Sequence, residues 1–266
     1  MYKRVIILGV DGAGNFVAQA ETPHIDALFA SGAVTYEGMT SIPTISAECW
    51  GSMLLGAGPQ THSLTNDIVS TRPYDISSLH PSIFRVVRAA MPQAKLASFC
   101  NWDPINTGII EENLGIDKFT ASSDAAICEQ VLQYLDAHDP ALVFVQFDEV
   151  DGAGHRHGYG TPQFLAKLTE IDALIGRIVA KYRDKGRADD TLFIVSADHG
   201  GNQNNHGGDS LQEVLIFMGF AGHSVQQGML SDVNVMDIAA IAATALGCEL
   251  PAAWEATMPQ TLFAAP

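Results

Sequence analysis

The run ArgValIleIleLeuGlyVal at 4–10, followed at once by Asp11, decides the fold class. A continuous apolar run that is ended by a polar residue and a glycine is typical of a strand buried on both faces, as in a parallel sheet. Further runs of this kind occur at 95–100, 141–147, 191–197 and 214–219. The sequence therefore predicts at least five strands that share one buried sheet.

Helical patterns separate these strands and complete the fold prediction. They lie near 23–31, 47–56, 80–90, 122–138, 162–185 and 235–246. Thr22 and Thr161 each precede a proline, so each is expected to cap a helix that begins with that proline. Strands that alternate with helices predict an α/β fold with a mostly parallel central sheet and helices on both faces. Ligands of such sheets bind beyond the carboxyl ends of the strands.

Length and composition predict one domain over residues 1–266. The chain is 47% hydrophobic and 17% charged, which is typical of a globular protein, and it contains no internal repeat or linker. Its 14 Lys and Arg against 30 Asp and Glu give a formal net charge of −16. This charge argues against a nucleic-acid polymer or an anionic membrane as the partner. Carboxylates together with nine histidines instead suit a divalent metal.

The sequence also gives an expectation for localisation. Asp11 interrupts the first apolar run after six residues, which favours a strand over a signal peptide, and no stretch reaches the roughly 18 apolar residues of a membrane span. The four cysteines show no CxxC spacing, so a disulfide framework is not expected. The cytoplasm is therefore the predicted compartment.

Three strand ends carry residues that can bind a metal. The first strand runs into Asp11, the strand at 141–147 runs into Asp148 and Asp151, and the strand at 191–197 runs into Asp198 and His199. Because the carboxyl ends of parallel strands meet at one edge, these side chains are expected to lie together there. Taken alone, an Asp before a Gly at a strand end is usually a turn former, and this is the alternative for Asp11.

Two further segments carry weaker signals. In AspGlyAlaGlyHis at 151–155, two glycines separate Asp151 from His155, which predicts a loop that folds both side chains onto one ion, although an exposed polar loop is the alternative. His206 alone is indistinguishable from a solvated histidine. Ser46 precedes a helical run, where free N–H groups favour an anion, and its alternative is an ordinary capping serine. No GlyxSerxGly elbow is present, so a metal would have to activate Ser46.

Together these residues resemble the alkaline phosphatase superfamily, and within it the type I phosphodiesterase/nucleotide pyrophosphatase branch. Ser46 lies three residues after Pro43 and ten before Gly56, as the nucleophile of that branch does. The segments AspxxGlyHis at 151–155, AspHisGly at 198–200 and HisGly at 206–207 also match, as does ThrProHisIleAspAlaLeuPheAlaSerGly at 22–32. The resemblance covers nearly the whole chain and implies an alkaline phosphatase-like fold.

The resemblance implies two divalent metal ions, most readily Zn and otherwise Mn. Asp151, His155 and His206 would hold one ion, and the second would be held by four residues: Asp11, Ser46, Asp198 and His199. Asp148 is a candidate partner of these ligands.

Three further residues take substrate-binding roles from the resemblance. The phosphate-binding Asn of the branch falls near Asn66; strict counting from Ser46 reaches Asp67, but the residue type favours Asn66. Asn101 and Trp102 resemble the segment that lines the leaving-group pocket, although an aromatic side chain there is otherwise a core residue.

The implied activity is hydrolysis of a small phosphate ester through a phosphoserine intermediate on Ser46. A preference for diesters over monoesters is expected because no Lys or Arg occurs between Arg4 and Arg72, and Arg156 is the basic neighbour of a motif segment. The alternatives are a phosphomonoesterase, a sulfatase and an inactive metal-binding scaffold. Sulfatases use an oxidised cysteine in CysxProxArg and one Ca²⁺ site, and this sequence has no such motif.

Overall fold

The computed structural model describes residues 1–264, and a twisted sheet runs through their centre. The sheet is built from these strands: β1 (Arg4–Val10), β2 (Ala33–Met39), β3 (Leu96–Cys100), β4 (Asp117–Thr120), β5 (Leu142–Phe147), β6 (Thr191–Ala197), β7 (Leu215–Ala221) and β8 (Gly228–Met229). Their order is β4-β3-β5-β1-β6-β7-β2-β8.

The strand directions confirm a mostly parallel sheet. β1 is paired in parallel with β5 on one side and β6 on the other, with Val5 opposite both Leu142 and Leu192. The pairs β3–β5 and β3–β4 are also parallel, whereas β7 runs antiparallel to β6 and β2. All five predicted strands are present within two residues of the predicted bounds.

Three strands lack the apolar run that identified the others. β2 has the sequence AlaValThrTyrGluGlyMet and is only partly buried, β4 is half-exposed, and β8 has two exposed residues. Each lies at or next to an edge of the sheet, where one face or flank meets water. A strand there needs no continuous hydrophobic sequence, so the pattern did not reveal it.

Helices surround the sheet. They are α1 (Pro23–Phe29), α2 (Ser46–Leu55), α3 (Pro59–His62), α4 (Asn66–Thr71), α5 (Ile83–Ala90), α6 (Asp124–Ala137), α7 (Glu149–His157), α8 (Pro162–Asp184), α9 (Leu211–Val214) and α10 (Asp237–Ala245). Helices α1, α6 and α7 pack on α8, whereas α5 and α10 pack with α2. Across residues 1–264, no helix combines the length and the apolar character that crossing a membrane would need.

One of the two predicted threonine caps is formed. The Thr161 hydroxyl accepts a hydrogen bond from the Phe164 N–H, as expected for the start of α8. The Thr22 side chain does not cap α1, so this prediction is wrong. Instead, the buried Asp172 carboxylate of α8 accepts hydrogen bonds from the N–H groups of His24 and Ile25, because the packing of the two helices brings a stronger acceptor to that end.

The centre of the sheet places three polar strand ends side by side. β5, β1 and β6 are neighbours, and their carboxyl ends lead into Asp148, Asp11 and Asp198. Below this edge the core is tightly filled. The Trp50 ring of α2 packs edge-on against Phe144 of β5, with 5.6 Å between ring centroids. The sheet therefore presents its acidic edge next to the amino end of α2.

Candidate active site

Asp11, Asp198 and His199 form a buried group at the ends of β1 and β6. Their ligand atoms lie within 4.8 Å of one another. His199 Nε2 is 3.5 Å from Asp11 Oδ1 and 3.4 Å from Asp198 Oδ2. The three residues are 0 to 2% exposed. The structure thus brings together three of the predicted ligands from two strands.

Each aspartate of this buried group uses its two oxygens differently. Asp11 Oδ2 accepts hydrogen bonds from Trp50 Nε1 and Gln146 Nε2, both at 3.0 Å. Asp198 Oδ1 accepts from the backbone N–H groups of Gly12 at 3.0 Å and His199 at 2.8 Å. Asp11 Oδ1 and Asp198 Oδ2 are buried without a hydrogen-bond partner. Such oxygens beside an imidazole nitrogen fit a divalent cation, which would satisfy both.

Asp151, His155 and His206 form a second group, which is more exposed. Asp151 Oδ2 is 3.2 Å from His155 Nε2, and Asp151 Oδ1 is 3.8 Å from His206 Nε2. The His155 side chain is 41% exposed, and that of Asp151 is 15% exposed. These are the three residues that the sequence assigned to one ion, and the structure brings their ligand atoms within 4.8 Å.

The segment that carries Asp151 and His155 is a helix, so the prediction of a loop is wrong. Within α7 the two residues are four positions apart and lie on one face. Glycines disfavour helices, but packing overrides this preference here: a Cβ on Gly154 would come within 2.5 Å of the Tyr159 ring. The glycine is needed for a close approach and not for a turn.

The three histidines are oriented alike. Each Nδ1 lies at hydrogen-bond distance from a backbone carbonyl: His155 from Asn204 (2.9 Å), His199 from Gly200 (2.8 Å) and His206 from Thr44 (2.7 Å). A carbonyl accepts only, so in the neutral form of each ring the proton is on Nδ1 and Nε2 keeps its lone pair. Burial lowers the pKa of His199 and His206, which keeps both imidazoles neutral. Neutral imidazoles with free Nε2 atoms are metal ligands.

The two groups adjoin and concentrate negative charge. The His199 and His206 rings stack with 3.9 Å between centroids. Burial raises the pKa of Asp11 well above its usual value, and the neighbouring Asp198 and Asp151 carboxylates raise it further. Among residues 1–264, the ion pairs of these three carboxylates are all with histidines and none is with Lys or Arg. Bound divalent cations would relieve this repulsion.

Ser46 faces the buried group. It is the first residue of α2 and is half-buried, with Ile45 at the N-cap position. The serine is therefore not the capping residue, and its Oγ lies 3.4 Å from His199 Nε2. The partly exposed Ser46 thus places its hydroxyl beside a candidate metal ligand.

Asn66 lies beside Ser46, at the amino end of α2. Its Oδ1 accepts a hydrogen bond of 3.0 Å from the Ala47 N–H. Because the oxygen is used in this way, the amide nitrogen is the end available to a ligand. The choice of Asn66 over Asp67, made on residue type, thus identified a side chain that contacts α2. The role of Asn66 in binding phosphate stays a prediction.

Asn101 and Trp102 follow β3 at the same edge of the sheet, and each donates one hydrogen bond within the protein, Trp102 through its backbone N–H. Asn101 Nδ2 donates to Asp124 at 2.8 Å, and the Trp102 N–H donates to Gln146 Oε1 at 2.8 Å. The Trp102 ring is half-buried and packs against the core. For the part of the chain that is described, no hydrogen bond joins either residue to Ser46. Their substrate-binding role stays a prediction.

Three residues around the carboxylates were missed by the sequence analysis. They are Trp50, Gln146 and Tyr159, whose hydroxyl donates a short hydrogen bond to Asp151 Oδ1. Gln146 did leave a signal, because it is the one polar residue in the apolar run at 141–147. Gln146 Nε2 also donates to Asp148 Oδ1 at 2.9 Å, so Asp148 is linked to Asp11 through one amide.

The chain is similar to known proteins over most of its length. Residues 5–250 match the family model of type I phosphodiesterase/nucleotide pyrophosphatase. The GPI ethanolamine phosphate transferase 2 of Aspergillus fumigatus is 23% identical over 230 residues, which is 82% of this chain but only 30% of that protein. The chain thus spans less than a third of this curated relative.

Two solved structures share the fold. Murine ectonucleotide pyrophosphatase/phosphodiesterase 5 superposes with a TM-score of 0.78 at 11% identity, covering 97% of this chain and all of that one. The 2-O glycosaminoglycan sulfatase BT1596 gives a TM-score of 0.80 at 12% identity, covering 97% of this chain and 73% of that one. At such identities the likeness shows an alkaline phosphatase-like fold alone. The family match over residues 5–250 goes further: the chain belongs to the type I phosphodiesterase/nucleotide pyrophosphatase family.

Proposed function

We propose that this chain hydrolyses small phosphate esters, in the manner of a phosphodiesterase or nucleotide pyrophosphatase, with Ser46 as its nucleophile. One observation carries the proposal: the half-exposed Ser46 Oγ lies 3.4 Å from His199 Nε2, at the junction of two Asp/His groups. A serine hydroxyl without an activating neighbour is a poor nucleophile at neutral pH. Because Ser46 lies beside candidate metal ligands, an ion bound by them would be that activating neighbour.

The donor sets support two divalent ions, Zn²⁺ or Mn²⁺. Asp151, His155 and His206 would hold one ion, and the buried group together with Ser46 would hold the other. Mixed carboxylate and imidazole ligands suit both metals. When bound, such ions lower the pKa of a coordinated hydroxyl and offset the negative charge of the phosphoryl oxygens and the leaving group.

The reaction divides into two displacements on the residues of this chain. In the first, Ser46 Oγ forms a bond to phosphorus while the bond from phosphorus to the ester oxygen breaks, and the leaving alcohol takes up a proton. In the second, water attacks the phosphoserine, which releases phosphate or a phosphomonoester and restores the hydroxyl. Asn66 Nδ2, the free end of its amide, would donate a hydrogen bond to a phosphate oxygen.

The proposed substrate is a small diester or pyrophosphate-linked ester. A monoester dianion generally needs a cationic side chain beside the metals. Arg72 and Arg156 are both exposed, and the Arg156 guanidinium lies against Gly152 of α7. The net charge of −16 opposes both a nucleic-acid polymer and an anionic membrane as substrate.

Phosphotransfer to an alcohol is the second candidate, and the similarity to an ethanolamine phosphate transferase favours it. The phosphoserine step would be the same, with an alcohol in place of water in the second displacement. Product analysis in the presence of excess ethanolamine or glycerol separates the two: hydrolysis gives only the free acid, whereas transfer gives a new diester.

The proposal is tested with a phosphate-ester panel. Chelator-treated protein is supplied with Zn²⁺ or Mn²⁺ and assayed for alcohol release, with Ser46→Ala as the matched variant. We expect metal-dependent turnover that is lost in Ser46→Ala. Turnover of sulfate esters instead of phosphate esters would favour the sulfatase alternative, and no turnover of any ester despite bound metal would favour an inactive scaffold.

A further inference from the structure

Gln146 is a fully buried amide that connects three parts of the acidic edge. It lies in β5 with 0% exposure. Its Nε2 donates to Asp11 Oδ2 at 3.0 Å and to Asp148 Oδ1 at 2.9 Å, while its Oε1 accepts from the Trp102 N–H at 2.8 Å. Both the nitrogen and the oxygen of this amide are thus hydrogen-bonded within the protein.

The orientation of this amide follows from its partners. A backbone N–H can only donate, so the atom that faces Trp102 must be the oxygen, and the nitrogen must face the two carboxylates. Its two hydrogens match the two acceptors, Asp11 and Asp148. The amide therefore separates two carboxylates that would otherwise repel each other in a buried setting.

The consequence for Asp11 is a fixed rotation of its carboxylate. Gln146 and Trp50 both donate to Oδ2, so Oδ2 is held on the side of the protein interior. Oδ1 is left without a partner and lies 3.5 Å from His199 Nε2. Loss of one of the two donors would leave the Asp11 carboxylate freer to rotate.

We propose that Gln146 is a positioning residue that holds Asp11 with Oδ1 turned toward His199, so that the buried group is preorganised for a divalent cation. The inference rests on the proposed function for the presence of a metal. It is independent of turnover, however, because it concerns the affinity of the buried group for the ion. Partners that orient metal ligands typically contribute about 10- to 100-fold in affinity.

The test measures metal binding directly. Chelator-treated protein is titrated with Co²⁺, followed by its visible absorption, and with Zn²⁺ in competition with a chromogenic chelator. Both titrations use a His155→Ala background, which weakens the exposed group, so that the buried group dominates. Gln146→Met keeps the length and volume of the side chain but removes both donors. We expect its Zn²⁺ affinity to fall about 10- to 100-fold and the Co²⁺ spectrum to change.

Asn106→Leu is the matched control. Asn106 is also a buried amide, 2% exposed, but it donates to Phe119 O and to Thr120 Oγ1, away from the ligands. It should lose stability without losing Zn²⁺ affinity. If Gln146→Met does not fold, Trp50→Phe removes the other donor to Asp11 Oδ2 and should lower Zn²⁺ affinity in its place.

Three results would overturn the inference. The first is a Zn²⁺ affinity of Gln146→Met, or of Trp50→Phe if Gln146→Met does not fold, that stays within twofold of the affinity of the His155→Ala protein. It would show that Asp11 Oδ2 needs no second donor. An equal loss in Asn106→Leu would show that the effect is general destabilisation. Absence of metal binding in the unsubstituted protein would remove the basis of the inference and the metal part of the proposed function together, whereas the first two results leave that function intact.

Discussion

Tyr159→Phe isolates one hydrogen bond to a candidate metal ligand. The Tyr159 hydroxyl donates to Asp151 Oδ1, and its ring fills a slot between Gly154 and Gly201, where an added Cβ would come within 2.5 Å of the ring. Phenylalanine keeps this ring and removes only the hydroxyl. Burial and the neighbouring Asp151 carboxylate raise the pKa of Tyr159, so the hydroxyl remains a donor throughout the working pH range.

The expected size of the effect follows from the type of bond. A hydrogen bond to a charged group contributes about 1.5 to 3 kcal/mol. If the bond fixes Asp151 for metal binding, that energy corresponds to a loss of about 10- to 150-fold in the affinity of the exposed group for its ion. Half-maximal reactivation of chelator-treated protein should therefore need at least about tenfold more Zn²⁺ or Mn²⁺, with activity at saturating metal largely recovered.

Tyr134→Phe is the matched control for this measurement. Tyr134 is 7% exposed, compared with 9% for Tyr159, and its hydroxyl donates to Asp117 Oδ2 at 2.7 Å beside β4. It therefore loses the same kind of bond far from the candidate ligands, and it should reactivate at the metal concentration that the unsubstituted protein needs. Reactivation of Tyr159→Phe at that same concentration, or an equal shift in Tyr134→Phe, would refute the reasoning.

Four further outcomes are expected. Elemental analysis of active protein should find about two divalent ions per chain, and one ion or none at full activity would contradict the two-metal proposal. Ser46→Ala should lower turnover by several orders of magnitude at unchanged circular dichroism, whereas a near-normal rate would assign the attack to water. An alkyl aryl diester should show a higher kcat/KM than the aryl monoester, and the reverse would indicate a phosphatase. Finally, burial lowers the pKa of His62 to about 4, so the unfolded chain binds this proton first and the free energy of unfolding should fall from about pH 6.5 to about pH 4. That slope should be shallower in metal-free His62→Gln, and an unchanged slope in denaturant titrations would count against a neutral buried His62.

The central strands could be predicted because burial on both faces leaves a continuous apolar run. β1, β5 and β6 have this pattern. Each of them is followed by an aspartate, which predicted that these aspartates lie together at one edge of the sheet. β2 and β4 are partly exposed and lack a continuous apolar run, and they pair with strands that are distant in sequence. Whether β2 and β4 form strands therefore depends on tertiary contacts, which the local sequence does not encode.

The candidate ligands could be predicted by residue type and spacing, but their supporting bonds could not. Asp151 and His155 were paired from sequence, yet in the wrong local structure, because the helix depends on contacts that form only in the fold. Asp124 accepts the N–H groups of Asp148 and Glu149 at the start of α7, and Glu149 Oε1 in turn accepts the Asp124 N–H at the start of α6. Two helices thus cap each other across 25 residues of sequence, and no local signal reports such a pair.

The charge of the site explains how so acidic a chain could bind an anion. With all three carboxylates ionised and all three imidazoles neutral, as metal ligands must be, the site carries a charge of −3, and two divalent ions would change this to +1. The described part of the chain pairs no Lys or Arg with these carboxylates, so no side chain can reverse the sign in place of the ions. Substrate binding and metal binding should therefore be inseparable. Inorganic phosphate should bind the metal-loaded protein and be repelled from the chelated one, which calorimetry would measure, and equal affinity for both forms would place the anion outside this site.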